Sequence, residues 1–252
     1  MSDIDSVGRF AVRAGDYAKF RPSYPPAAID AILEGMGDPH ALDVVDIGAG
    51  TGISLRLLRD RGCRAIGIEP GSEMREQAMS ADLDVREGSA ANTGLQAESF
   101  DIATAFQAFH WFAEAEAVAE LSRILRPGGR LALVWNHFDR NDAFTNAFAK
   151  LHERYGEKAL IAALGVDRNK IEAVVREGGF RDARRLSFNW KLESDYDALL
   201  GRLRSSSSTP RSGERYDAMV DELGTLYERF PRGEDGVTLA YVTDVYSSEK
   251  PA

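Results

Sequence analysis

Three glycines at alternate positions, Gly48, Gly50 and Gly52, close the run Val44-Val45-Asp46-Ile47-Gly48-Ala49-Gly50-Thr51-Gly52. The pattern is that of a strand passing through a tight turn into a helix. Glycine has no Cβ, so it takes the positive φ such a turn demands and lets a ligand approach the backbone closely. The helix start that follows offers unpaired N–H groups to an anionic or polar ligand group. Seventeen residues beyond Gly52, Glu69 ends Ile66-Gly67-Ile68-Glu69, and an acid at the tip of a second strand is placed to accept both hydroxyls of a ribose. A dinucleotide fingerprint G-x-G-x-x-G counted from Gly48 needs its third glycine where the chain has Ile53, which weighs against a nicotinamide-dependent dehydrogenase. A turn glycine cluster followed by an unrelated capping acid is the non-functional alternative. The register of the two within an α/β pattern favours ligand binding.

Other residues carry chemistry of their own. His110 lies just beyond the fourth candidate strand, in the crevice at the carboxyl ends of the strands where open α/β sheets bind ligands. Tyr17 and Arg21 are four apart and share a helix face, and the guanidinium fork suits a carboxylate; the alternative is a surface arginine beside a packed tyrosine. Trp111, Phe112 and Trp135 read as pocket wall or core. His137, Asp139, Asn141 and Asp142 form an oxygen-rich loop after the fifth candidate strand, with Gln107 and Ala108 and no carboxylate near the end of the fourth, and no metal is expected. Arg202, Arg204, Arg211 and Arg215 bracket Ser205, Ser206, Ser207 and Ser208, a local positive excess that either meets an anionic acceptor, with Arg204 and Ser206 as contacts, or forms a solvated helical face. The lone Cys63 excludes an internal disulfide and reads as a buried apolar residue.

These residues must be positioned by alternating elements. Short Val/Ile/Leu-rich runs at 42–47, 64–69, 84–87, 100–106 and 130–136 alternate with helical patterns at 53–60, 72–79 and 114–125, which predicts repeated strand-helix-strand units and a parallel sheet. Tyr24-Pro25-Pro26 opens a helix over 27–36 after an irregular or helical lead-in at 1–23. Behind the core, helices are expected at 144–155, 169–177, 195–203 and 216–230, and strands at 184–192 and 236–246. One domain is expected, with 1–40 as an N-terminal cap, 41–192 and 236–252 as core, and 193–235 as inserted helices. The 252 residues carry 31 Lys and Arg against 40 Asp and Glu, and a net charge of −9 is the wrong sign for many phosphate contacts, so nucleic acid is disfavoured. No apolar run approaches the ~18 residues of a membrane span, and the start Met1-Ser2-Asp3-Ile4-Asp5 is acidic, so a soluble cytoplasmic protein is expected.

Taken together, Asp46-x-Gly48-x-Gly50-x-Gly52, Glu69, Gly88-Ser89-Ala90, Phe100-Asp101 with Gln107-Ala108-Phe109-His110-Trp111-Phe112, and Leu125-Arg126-Pro127-Gly128-Gly129 resemble the class I S-adenosylmethionine-dependent methyltransferases. Tyr17-x-x-x-Arg21-Pro22-x-Tyr24-Pro25 with His110-Trp111-Phe112 is similar to the small-molecule branch that includes trans-aconitate methyltransferase-like proteins. The resemblance covers most of the chain. It implies a Rossmann-like three-layer sandwich around a seven-stranded, mostly parallel sheet of order 3-2-1-4-5-7-6. It implies S-adenosylmethionine as cofactor, leaving S-adenosylhomocysteine, with Asp46, the three glycines, Glu69, Ser89, Ala90, Gln107, Tyr17 and Arg21 as its contacts. Asp46 then either holds the loop or binds the cofactor's ammonium, and Arg21 takes its carboxylate. Trp111 and Trp135 become substrate contacts and His110 a base for an acceptor hydroxyl, or a residue that only shapes the pocket. A carboxylate acceptor needs no base. The expected reaction is methyl transfer to an oxygen of a small molecule. The alternatives are transfer to nitrogen or carbon, or a non-catalytic cofactor-binding protein.

Overall fold

A computed structural model describes residues 13–157 and 168–252. The part of the N-terminal lead-in before Arg13 lies outside the described residues. In chain order the elements are α1 (Ala14–Phe20), α2 (Pro26–Leu33), β1 (Asp43–Ile47), α3 (Ile53–Asp60), β2 (Arg64–Ile68), α4 (Ser72–Ser80), β3 (Val85–Arg86), β4 (Phe100–Phe106), α5 (Ala115–Ile124), β5 (Leu125–Phe138), α6 (Ala143–Tyr155), α7 (Arg168–Glu177), β6 (Arg181–Ser194), α8 (Tyr196–Arg204), α9 (Glu214–Arg229) and β7 (Val237–Glu249). The strands form one seven-stranded sheet of order β3-β2-β1-β4-β5-β7-β6. Strands β1 to β5 pair in parallel. Strand β7 runs against both its neighbours: Asp139 N donates to Ala240 O while Lys250 N donates to Gly129 O, and Thr238 meets Glu193 while Asp244 meets Ser187. The strand order expected from the resemblance is the one observed.

The chain groups into two compact units, one drawn from Ser23–Trp135, Val166–Phe188 and Thr243–Ala252, the other from Met1–Pro22, Asn136–Gly165 and Asn189–Val242. In the first, β1 is buried on both faces, as a central parallel strand must be. Val45 and Ile47 pack with Ala117, Val118, Leu121 and Ile124 of α5, while Val44 packs with Ile29 and Ile32 of α2 and Leu55 and Leu58 of α3. Each such aliphatic side chain contributes about 1.5–3 kcal/mol by leaving water. In the second unit, Phe144, Phe148 and Leu151 of α6, Leu199 and Leu203 of α8, and Met219 and Leu223 of α9 close on Val237, Leu239 and Tyr241. Its helices are fixed at their starts, since Asp142 accepts from Thr145 N at 2.8 Å and Asp195 from Ala198 N at 2.7 Å, caps worth ~1 kcal/mol each. Helix α1 seats on α8 at Gly201, where a Cβ would lie 2.2 Å from the Phe20 ring.

Several boundaries differ from the expectation by a few residues, as where the helix expected over 27–36 ends at Leu33 and the strand expected over 184–192 spans Arg181–Ser194, and two of the differences have a local cause. The third strand shrinks to Val85–Arg86, because the chain turns back immediately at Ser89, which exchanges backbone hydrogen bonds with Asn92. The Pro127-Gly128-Gly129 turn does not precede β5 but lies inside it. Leu125 pairs with Phe100 and Arg130 with Ile102, so the residues between bulge out of register, and Gly128 takes φ +75° to allow it.

Candidate active site

The turn from β1 into α3 sets the geometry. Gly48, Gly50 and Gly52 all take positive φ, at +71°, +56° and +79°, where a side chain costs about 1–2 kcal/mol. Packing separates their roles. A Cβ on Gly48 would lie 2.7 Å from the Cβ of Ala108 and one on Gly52 would lie 2.2 Å from Leu83 Cδ1, whereas one on Gly50 would meet no protein atom within 4 Å. Gly48 and Gly52 therefore seat the loop against its neighbours, and Gly50 keeps the loop's outer side bare. The adjoining Thr51 Oγ1 is buried without a hydrogen-bond partner among the described residues, at the helix start that offers α3's unpaired N–H groups.

Glu69 stands just past β2 and is lashed to the loop. Its Oε2 accepts from Gly50 N at 3.0 Å and its Oε1 from Gly71 N at 2.9 Å, leaving each oxygen further acceptor capacity. Burial raises its pKa, and the two backbone donors oppose that rise. Asp46 is fully buried: Oδ2 accepts from Ser54 Oγ at 2.5 Å and Oδ1 from Thr104 Oγ1 at 2.8 Å. Loss of water pushes its pKa up to about 7, the hydroxyl donors working against this and the Glu69 charge adding to it. Both carboxylate oxygens thus join β1, α3 and β4, and their full burial keeps them from water. Thr104 faces Asp46 across adjacent strands, a partner visible only once β1 and β4 are known to be neighbours. Sequence inspection also passed over Thr51 and Ser54, although both belong to the β1–α3 turn and helix it had singled out.

At the end of β3, Ser89 is exposed and forms a tight turn with Asn92, while Ala90 is buried in the core. Gln107, beyond the tip of β4, holds φ +53° while its N–H donates to Val134 O at 2.8 Å. A residue other than glycine in this region stores of order 1–3 kcal/mol of strain and is a marker of functional sites. His110 and Trp111 follow on a short 3-10 turn, Phe109–Trp111, their rings 5.2 Å apart. Trp135 Nε1 donates to His110 Nδ1 at 3.2 Å, and burial lowers the imidazole to about 4. The ring is therefore neutral near pH 7 with its proton on Nε2, the tautomer that an occupied Nδ1 lone pair dictates. Trp135 itself is 1% exposed and presents almost no surface to a ligand. Its part is to orient His110.

The remaining candidates belong to the other unit. The Arg21 guanidinium lies over the Tyr17 ring, 4.7 Å from its centroid, and donates to Ser205 O at 3.2 Å. Arg204 pairs with Asp16 at 3.3 Å. Ser205 to Ser208 are all buried, so the run is no solvated helical face. Ser206 Oγ meets His152 Nε2 at 2.8 Å and Ser208 Oγ at 3.0 Å. Asp139 Oδ1 accepts from Asn141 and Asp142 caps α6. Among the described residues, no group of three or more His, Cys, Asp or Glu is arranged to hold a metal ion, and no helix is long and apolar enough to cross a membrane.

An open, mostly parallel sheet with a glycine-rich β1–α3 turn and an acid at the tip of β2 defines the Rossmann-like proteins that bind a nucleoside cofactor at the carboxyl ends of their strands. Residues 45–133 match the family model described as a methyltransferase domain. An uncharacterised methyltransferase of Schizosaccharomyces pombe is 30% identical over 254 residues, spanning 97% of this chain and 98% of the relative. The chain belongs to this family, the class I S-adenosylmethionine-dependent methyltransferases, and is an enzyme with S-adenosylmethionine as its cofactor. Solved structures share the fold. A methyltransferase of Haloferax volcanii, in complex with the Trm112 methyltransferase activator, has a TM-score of 0.58 at 21% identity with both chains fully covered. Phosphoethanolamine N-methyltransferase 2 of Haemonchus contortus, bound to phosphomonomethylethanolamine and S-adenosylhomocysteine, has a TM-score of 0.58 at 17% identity, covering all of this chain and 58% of that one.

Proposed function

We propose that the protein transfers the methyl group of S-adenosylmethionine to an oxygen of a small molecule, a carboxylate or a hydroxyl. The observation that carries the cofactor half is the pairing of Gly50 with Glu69: a loop residue that leaves its outer face bare is hydrogen-bonded to an acid with acceptor capacity to spare. The cofactor supplies a methyl group already activated on a positively charged sulfur. Glu69 accepts from the ribose hydroxyls, the α3 N-terminus and Thr51 Oγ1 provide donors, and Ser89, Ala90 and Gln107 border the adenosine. Asp46 acts at one remove, holding β1, α3 and β4 in register through Ser54 and Thr104.

His110 enters as a hydrogen-bond donor. With Nδ1 occupied by Trp135 and burial opposing the imidazolium, it aims an Nε2–H at an acceptor oxygen and takes no proton. That role suits a carboxylate, which reaches the site already ionised and needs alignment and exclusion of water. Transfer to nitrogen or carbon, and cofactor binding without catalysis, are the competing readings.

Calorimetry with S-adenosylhomocysteine and with NAD tests the assignment, the former binding and the latter not. Glu69→Ala is expected to weaken S-adenosylhomocysteine by about 1.5–3 kcal/mol, as for hydrogen bonds to a charged group. Unchanged affinity removes Glu69 from the site. A screen of carboxylates, alcohols and amines with labelled cofactor then identifies the acceptor atom, and label in amines alone refutes the oxygen assignment.

A further inference from the structure

We infer that Arg202 and Tyr241, both packed on Phe138, form a binding site for a small carboxylate with a flat apolar body. The residues all belong to the unit built from α1, α6, α8 and α9, and none of them contributes to the cofactor loop. Arg202 Cζ sits over the Phe138 ring, 5.8 Å from its centroid, and the Tyr241 ring lies 5.3 Å from the same centroid, tilted by 33°. One polar atom of each of these two residues, Arg202 Nε and Tyr241 Oη, is buried without a hydrogen-bond partner among the described residues. Tyr241 is 1% exposed. Buried donors left unpaired carry a desolvation penalty and are rare for that reason, so two against a single ring call for an acceptor.

The surroundings select the charge and shape of that acceptor. Arg140 is paired with Glu153, Arg204 with Asp16, and Arg21 is engaged with Ser205 O and the Tyr17 ring. Among the described residues the Arg202 side chain has no ion pair and its Nε no hydrogen-bond partner, so its positive charge is not offset there. His152, one turn beyond Phe148 on α6, adds none: burial and the charges of Arg202, Arg21 and Arg140 push it down to about 3. Its Nε2 is occupied by Ser206 and more weakly by Ser208. One guanidinium without an ion pair matches a single negative charge, which favours a monoanionic carboxylate over a dianionic phosphate, and its planar fork can take both oxygens of that carboxylate. Phe138 is only partly buried, and its ring neighbours Phe148 and Tyr241, with Trp190 stacked on Tyr241, make the surroundings aromatic, which suits an aryl or similarly flat apolar body.

Benzoate, its uncharged analogue benzamide, and inorganic phosphate serve as probes, measured by saturation-transfer NMR and calorimetry on the whole protein without cofactor. Benzoate is expected to bind saturably, at least tenfold more tightly than benzamide, and phosphate not to compete. Arg202→Met is expected to weaken benzoate at least tenfold, and Tyr241→Phe severalfold. Both variants should unfold no lower than the parent protein, since each deletes an unpaired buried group, and this separates lost binding from lost folding. Benzoate and benzamide binding alike, displacement by phosphate, or undiminished benzoate binding in either variant overturns the site. Because no cofactor enters the assay, that failure is distinct from failure of the methyl-transfer assignment.

Discussion

Alanine placed in turn at Gly48, Gly50 and Gly52 should separate a fold-holding glycine from a ligand-facing one. Each substitution forces a Cβ into positive φ at about 1–2 kcal/mol. At Gly48 the new methyl meets the Cβ of Ala108 at 2.7 Å, a group with no rotamer to escape into, so backbone must move. Overpacking adds ~1–3 kcal/mol, for a loss of roughly 2–5 kcal/mol. At Gly52 the clash is with the end of Leu83, which can swing but is itself packed in the core, giving roughly 2–4 kcal/mol. At Gly50 no protein atom lies within 4 Å, so stability should fall by the φ term alone, about 1–2 kcal/mol. Cofactor affinity should show the reverse order. Gly50→Ala should weaken S-adenosylhomocysteine by about 1.5–3 kcal/mol, roughly 10- to 150-fold, because the methyl occupies the side the ligand approaches. Urea unfolding reports the first quantity and calorimetry the second. Gly50→Ala that binds S-adenosylhomocysteine like the parent protein, or that unfolds as easily as Gly48→Ala, would refute the division of labour.

Two further predictions concern protons. His110 and His152 are held neutral to about 4 and about 3, well below their pKa in the unfolded chain, so their stabilising effect is full above about 6.5 and declines as pH falls toward those values. Asp46 has the opposite sign: raised to about 7, it favours the folded state fully below about 3.8, and this is lost as pH rises to 7, with Glu69 shifted in the same direction. Unfolding free energies from urea titrations across pH 4–6.5 should therefore rise more steeply in Asp46→Asn than in the parent, by about 1.4 kcal/mol per pH unit; parallel curves would show that Asp46 is ionised throughout. For His110, nitrogen NMR should find the proton on Nε2, and Trp135→Phe should abolish that preference, whereas a proton on Nδ1 in the parent protein would rule out the Trp135 hydrogen bond and the donor role built on it.

Much of the fold was legible because its signals are local. The strand over 100–106 and the helix over 53–60 have the bounds read from periodicity, since a strand buried on both faces is uniformly apolar and a helix on its surface repeats every 3.6 residues. Strand β5 was read too short because Pro127, Gly128 and Gly129 are turn formers; they form a turn, but as a bulge within a ladder that resumes at Arg130. The strand order came from the family resemblance rather than from periodicity, because pairing is non-local. The grouping of residues such as 13–22 with 189–242 has no signature in the linear pattern for the same reason.

By itself the sequence determined the glycine loop, because a positive-φ glycine, a helix start and an acid seventeen residues on are chemical requirements written in residue type and spacing. Tertiary structure decided what the polar side chains do. Asp46 is turned inward to two hydroxyls, His110 has its Nδ1 occupied by a tryptophan 25 positions away, and the four serines are buried, two of them on His152, instead of facing water. A carboxylate or imidazole has one set of chemical possibilities in the sequence. Which of them survives depends on the dielectric around it and on which of its lone pairs a distant residue already occupies.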